Sequence, residues 1–202
     1  MKAIADKKNS EKHRRIIQAA VKVFAKNGFF NSKVSEIARE ANVADGTIYL
    51  YFQNKDDILI SLFEEEMSHI LANVRENVAA QATPAGKLEA FALAHLALVE
   101  RNQQLAEIIQ VELRQSSKFM KEYKNDKFHE YLGIISTIIK DGQREGYFRA
   151  DIMPGVMKRA FFGALDEMSR YWVLSGSTGK RYNIATAARE ISGYFLRGIQ
   201  AN

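Results

Sequence analysis

Cysteine is absent from the 202 residues, so neither a disulfide nor a thiolate metal site contributes. Proline occurs only twice, at Pro84 and Pro154, which leaves long stretches without a helix breaker. No apolar run approaches the roughly 20 residues that span a bilayer, so no membrane partner is expected. No P-loop, dinucleotide fingerprint or nucleophile motif occurs. His13, His69 and His129 show no metal-ligand spacing with each other or with acids. Catalysis therefore has no support, and neither a metal nor another cofactor is expected. The N-terminal MKAIADKKNSEKHRR is charged and has no apolar segment behind it. It is not read as a secretory signal, and a cytoplasmic protein is expected.

What is present is helical periodicity. Hydrophobic residues make up 47% of the chain, which excludes wholesale disorder. Apolar positions recur at helical spacing, predicting an all-α protein of about nine helices. The first runs from about Ser10 to Asn27, with Ile16, Ile17, Ala20, Val21 and Phe24 on one face and Gly28 at its end. Residues 1–9 read as a mobile basic arm. Asn54 starts a long helix reaching to about Gln81, on the order of 40 Å. Asn54 can cap it, and Asp56 and Asp57 suit its positive end. Later helices are read at Leu88–Glu100, Gln103–Gln115, Phe119–Glu145, Met157–Leu174 and Ile184–Ile199. The boundary of interest falls at 53/54: residues 1–53 as a head, 54–202 as a body.

Charge divides the chain at nearly the same place. Through Lys55 there are 11 Lys and Arg against 5 Asp and Glu; beyond it, 18 against 19. The whole net charge of +5 therefore belongs to the head. A basic face of this kind is the electrostatic footprint of nucleic-acid binding.

Within the head, SKVSEIAREANVADGTIYLYFQNK (Ser32 to Lys55) reads as two short helices around a tight turn. Val34, Ile37, Ala38 and Ala41 form one apolar face. Asn42 can take the left-handed conformation that closes a helix, and Val43 can plug the turn. A second helix then carries Gly46, Thr47, Ile48, Tyr49, Leu50 and Tyr51. This is a helix-turn-helix, whose second helix enters the DNA major groove.

In order and spacing, Ala19, Phe24, Gly28, Val34, Ile37, Ala38, Val43, Gly46, Thr47, Ile48, Tyr49, Tyr51, Phe52 and Lys55 resemble the DNA-binding head of the TetR family of repressors. The resemblance implies double-stranded operator DNA as a partner. Tyr49, Tyr51 and Lys55 are expected on phosphates, with Ser32, Lys33 and Val34 contributing from the preceding helix. Gly46 and Thr47 would bring the backbone close to the groove. The family usually has Ser and then often a basic residue where this chain has Ala44 and Asp45. Asp45 is open to two readings, a base-edge contact with a cytosine amino group or a structural first-turn acid.

Val43 to Phe63, Gln110 to Ser116 and Gly163 to Val173 are similar to one subgroup, the FadR-type repressors of fatty acid degradation. That likeness implies a homodimer on a palindromic operator, released by long-chain acyl-CoA. An acyl-CoA binder needs an apolar tunnel with cations near its mouth. Phe91, Leu98, Ile108, Val111, Ile135, Phe161, Phe162, Leu165 and Trp172 are candidates for the tunnel, or plain core. His95 is a core or pocket histidine. Arg114 stands beside apolar positions and is read either as a partner of Glu107, Glu112 or Asp166, or as a phosphate ligand. Gln115 adjoins it, and Lys118 and Lys121 could enlarge a basic mouth. Phe161, Phe162, Leu165, Met168, Ile191, Tyr194, Phe195 and Ile199 offer a four-helix dimer interface. The rival reading keeps fold and DNA but changes the effector, to an efflux regulator sensing lipophilic cations. Asp166, Glu167, Tyr171 and Trp172 would suit that pocket too.

Overall fold

The computed structural model describes the backbone of residues 2–113, 116–175 and 182–201. It describes their side chains except at 2–10, 112, 117 and 120. Among these residues the elements are helical, joined by one isolated antiparallel bridge between Phe148 and Gln200. The all-α class is as the periodicity predicts. The helices gather into two compact units, residues 1–66 with 103–124, and residues 67–102 with 125–202.

In the first unit, α1 (Lys2–Asn27) starts earlier than Ser10 and replaces the expected mobile arm with helix. The stretch KAIADKKNSEK holds no glycine or proline and is rich in helix formers. Ile16, Ala20 and Phe24 lie four apart and are fully buried. Gly28 then turns left-handed, with φ +73°, and donates its N–H to the Phe24 carbonyl at 2.9 Å. α2 (Val34–Glu40) buries Ile37 and Ala38. Asn42, at φ +52°, closes it as expected. The Arg15 guanidinium donates to the carbonyls of Ala41 and Asn42 at 2.5 and 3.2 Å, fixing this turn to α1. α3 is a single turn, Asp45–Ile48, shorter than the expected helix through Tyr51. The Phe52 N–H returns to the Ile48 carbonyl at 3.0 Å, and the Phe52 ring is buried.

Residues 103–124 complete this unit. α7 (Gln103–Glu107) and the π turn Ile108–Glu112 pack against α1. α8 (Ser117–Lys121) is capped by Ser116, whose Oγ accepts from the Phe119 N–H at 3.1 Å. The same Oγ donates to Asp56 at 2.6 Å. Phe63, Phe119 and Tyr123 pack edge and face within 5.0–6.2 Å. The single helix expected over Phe119–Glu145 is thus divided, a second helix beginning afresh at Asp126. Between them KEYKND has only Tyr123 to bury, so a continued helix would gain little there.

α4 (Lys55–Ala79) begins in the first unit and ends in the second. Asn54 caps it as expected, accepting from the Asp57 N–H at 3.0 Å. In the second unit α5 (Pro84–Leu96) starts with proline in its first turn, and Thr83 accepts from the Gly86 N–H at 3.1 Å. α6 (Leu98–Arg101) follows it. α5 packs against α9 (Asp126–Arg144), α10 (Pro154–Leu174) and α11 (Ile184–Ile199), the last with the bounds its periodicity predicts. The chain end is tied back. The Arg149 N–H donates to the Ile199 carbonyl at 2.8 Å, and the Ala201 N–H to the Tyr147 carbonyl at 3.1 Å. Beneath this clasp Phe148 lies on Gly142, where a Cβ would come within 2.6 Å of Cε2.

Candidate nucleic-acid interface and effector chamber

The helix-turn-helix presents an exposed edge. Lys33, Ala44, Asp45, Gly46 and Tyr49 are open to solvent, while Val34, Thr47 and Tyr51 are half-buried. The N-terminus of α3 is therefore accessible. Tyr51 packs against His13 and Phe52 at 6.0 and 6.3 Å. Two of the expected phosphate contacts are placed otherwise. Ser32 is buried, and its Oγ donates to the carbonyls of Gly28 and Val23 at 2.6 and 3.3 Å. Lys55 turns inward. Its ammonium donates to the carbonyls of Phe29, Phe30 and Ser32 at 2.6, 2.7 and 3.2 Å and lies over the Phe29 ring at 4.6 Å. All three of its protons are engaged within the protein. Both placements share a cause: the last turn of α1 and the loop that follows it leave carbonyls that need donors.

The second unit holds a packed aromatic cluster with a polar centre, the candidate effector chamber. Phe91 and His95 come from α5, Tyr131 and Phe128 from α9, Phe161 and Phe162 from α10. Tyr131 lies 4.9 Å from Phe91, and Phe162 stands edge-on to Phe128 at 5.2 Å and to His95 at 5.6 Å. His95 Nδ1 is 2.6 Å from the Tyr131 hydroxyl. Burial lowers the His95 pKa to about 4 against the opposing charge of Asp166, so the ring is neutral at pH 7. Burial, aided by Asp166, likewise pushes the Tyr131 phenol well above its ordinary value. His95 Nε2 is buried without a hydrogen-bond partner among the described residues.

The other expected effector residues scatter. Ile135 is fully buried on α9, and Leu98 is half-buried on α6. Trp172 lines a separate small gap of about 10 Å³ with Leu96, Val99 and Met168. Ile108, Val111 and Lys118 belong to the first unit. Lys118 is not a free cation for a ligand mouth: its ammonium is 2.5 Å from Asp57, which raises its pKa. Lys121 is exposed. Arg114 and Gln115 lie outside the described residues. Tyr131 and Phe128 were not among the expected residues, because aromatics at helical spacing read as core. A larger cleft of about 550 Å³ is lined by Asn77, Gln81, Glu89, Leu93, Ala97 and Arg101 among others, and by none of the expected residues. Gly86, Ala90 and Leu93 face it from one side of α5, followed by Ala97 just past its end; Phe91 and His95 occupy the opposite side.

The expected dimer residues also divide. Phe161, Leu165, Ile191 and Ile199 are buried in the unit's own core, whereas Tyr194 is exposed. Along α10 a different stripe faces outward: Val156, Ala160, Gly163, Glu167, Tyr171 and Leu174, at helical spacing, with Glu167 paired to Arg170. Among the described residues no cluster of side chains could hold a metal ion, and no helix is long and apolar enough to cross a membrane.

Comparison with known proteins gives concordant matches. Residues 16–62 match the model of bacterial regulatory proteins of the tetR family, and residues 63–198 match that of the C-terminal region of YsiA-like proteins. The chain is 36% identical to the fatty acid metabolism regulator protein of Bacillus subtilis over 96% of its own length and 98% of that protein. The crystal structure of the transcriptional regulator FadR from Bacillus subtilis, in complex with stearoyl-CoA, superposes with a TM-score of 0.84. It shares 36% identity and covers 93% of this chain and 99% of that one. The fatty acid degradation regulator FadR of Bacillus halodurans, at 34% identity, also gives 0.84, over 93% and 95% of the two chains.

Proposed function

The chain belongs to the TetR family of bacterial regulatory proteins, and from that premise we propose that it represses fatty acid degradation genes and leaves its operator when long-chain acyl-CoA binds. The family is one of transcription regulators, not of enzymes. The near full-length likeness to a fatty acid metabolism regulator carries the reading. The stearoyl-CoA held by a structural relative supplies the effector class. The residues are compatible with it: an exposed helix-turn-helix edge at one place, an aromatic chamber at another.

For DNA, Lys33, Ala44, Asp45, Gly46, Thr47, Tyr49 and Tyr51 are the proposed contacts. For the effector, the proposed lining is Phe91, His95, Phe162 and Asp166, with Tyr131 added. The protein is proposed to act in the cytoplasm as a homodimer. The outward stripe of α10 would meet its copy there, Ala160 and Gly163 allowing close approach. A palindromic site needs such a two-fold pair, with recognition helices about 34 Å apart or a multiple of that.

The test is a titration of the operator complex, followed by fluorescence anisotropy, with mass photometry of the same complex. Stearoyl-CoA should dissociate it; free CoA and a lipophilic cation should not, and the complex should contain an even number of chains. Release by the cation alone would transfer the protein to the efflux regulators. A single chain per operator would remove the dimer.

A further inference from the structure

The core of the second unit contains a hydrogen-bonding atom with no partner. His95 is on the chamber side of α5, buried, and Nε2 makes no hydrogen bond among the described residues. Its other ring nitrogen is engaged, 2.6 Å from the Tyr131 hydroxyl. A neutral imidazole has one N–H and one lone pair. Among the described residues Nδ1 is the one acceptor within reach of the Tyr131 hydroxyl proton, so the hydroxyl donates to it. That pairing assigns the ring proton to Nε2. A buried N–H without an acceptor is costly, and apolar core residues would serve packing better.

We propose that the Nε2–H of His95 donates to the thioester carbonyl oxygen of the effector, and so reads the activated acyl group rather than the chain alone. The inference rests on the acyl-CoA reading above. The electrostatic surroundings favour this acceptor over a carboxylate. Asp166 acts on both His95 and Tyr131, and its negative charge opposes a second anion beside them. A thioester carbonyl is neutral and accepts without bringing charge. Phe162, edge-on to the His95 ring at 5.6 Å, and Phe91, beside Tyr131 at 4.9 Å, offer apolar surface to the carbons that flank the carbonyl.

The carbonyl can be removed from the ligand as cleanly as the imidazole from the protein. The probes are stearoyl-CoA and its S-octadecyl thioether, in which a methylene replaces the carbonyl. Binding of each to the full chain is measured by calorimetry, for the wild type, His95→Phe and His95→Gln. The wild type should bind the thioester about tenfold more tightly than the thioether. His95→Phe should bind the two alike, at the wild type's thioether level. His95→Gln keeps a donor and should retain part of the difference. Equal binding of both ligands by the wild type would overturn the inference while leaving the acyl-CoA reading standing. So would a His95→Phe variant that still favours the thioester. Binding of neither ligand by the wild type would remove the acyl-CoA reading and this inference together.

Discussion

Replacing Lys55 by alanine should loosen the helix-turn-helix head and leave the salt dependence of operator binding unchanged. The ammonium ends on three converging carbonyls, those of Phe29, Phe30 and Ser32. They belong to the loop that leads from α1 to α2. Hydrogen bonds to a charged group are worth about 1.5–3 kcal/mol each in favourable settings, and unmade acceptors add to the loss. The Phe29 ring beneath the cation contributes about 0.5–1 kcal/mol more. Because Lys55 is half-buried rather than enclosed, a total of about 3 kcal/mol is the sensible expectation. Lys55→Arg should rescue only part of this, since a planar guanidinium cannot aim three protons at one convergent set. Lys33 supplies the contrast. It is exposed at the start of α2, so Lys33→Ala should spare stability and lower the salt slope by about one charge. Thermal unfolding and a salt series on both variants separate the two roles. A stable Lys55→Ala protein with a reduced slope would return Lys55 to the phosphate backbone.

Lys55 also marks where reading the sequence stops. Periodicity and local signals gave the all-α class, the left-handed stops at Gly28 and Asn42, the Asn54 cap and the bounds of α11. These are local: each depends on residues within one or two turns. The carbonyls that hold Lys55 lie 23–26 residues away, and no spacing rule connects them to it. The packing of residues 103–124 with the head is of the same kind, as is the bond from Ser116 to Asp56 across 60 positions. The proposed effector site was harder to read for a different reason. Phe128 and Tyr131 sit at helical spacing, where an aromatic reads as core. Only the buried His95 they surround distinguishes this cluster from ordinary packing. Of the expected residues, Phe91, His95 and Phe162 come together in it, and His95 alone stood out, as a histidine on an apolar helix. Trp172 was equally conspicuous, yet it faces another gap.

The strongest effect should come from the length of the acyl chain. Moving a complex from mostly bound to mostly free takes about 5.5 kcal/mol of preference for the non-binding state. Each buried methylene supplies about 0.8 kcal/mol, near a fourfold change in affinity. About seven methylenes are therefore needed before the chamber is opened at all. Opening it has its own cost, because its rings are in mutual contact at 4.9–6.4 Å. A chain of eight carbons should thus stand at or below the threshold, and one of eighteen well above it. Across a series of acyl-CoAs from eight to eighteen carbons, the concentration for half-release should fall about fifteenfold per added pair of methylenes. It should level off where the chain outgrows the space the helices can yield. That plateau would measure the depth of the chamber, and free CoA would define the floor. The series is read by anisotropy of a labelled operator at fixed protein. A flat response from eight to eighteen carbons would mean that methylene burial does not drive release, and the chamber would then lose its role as the switch.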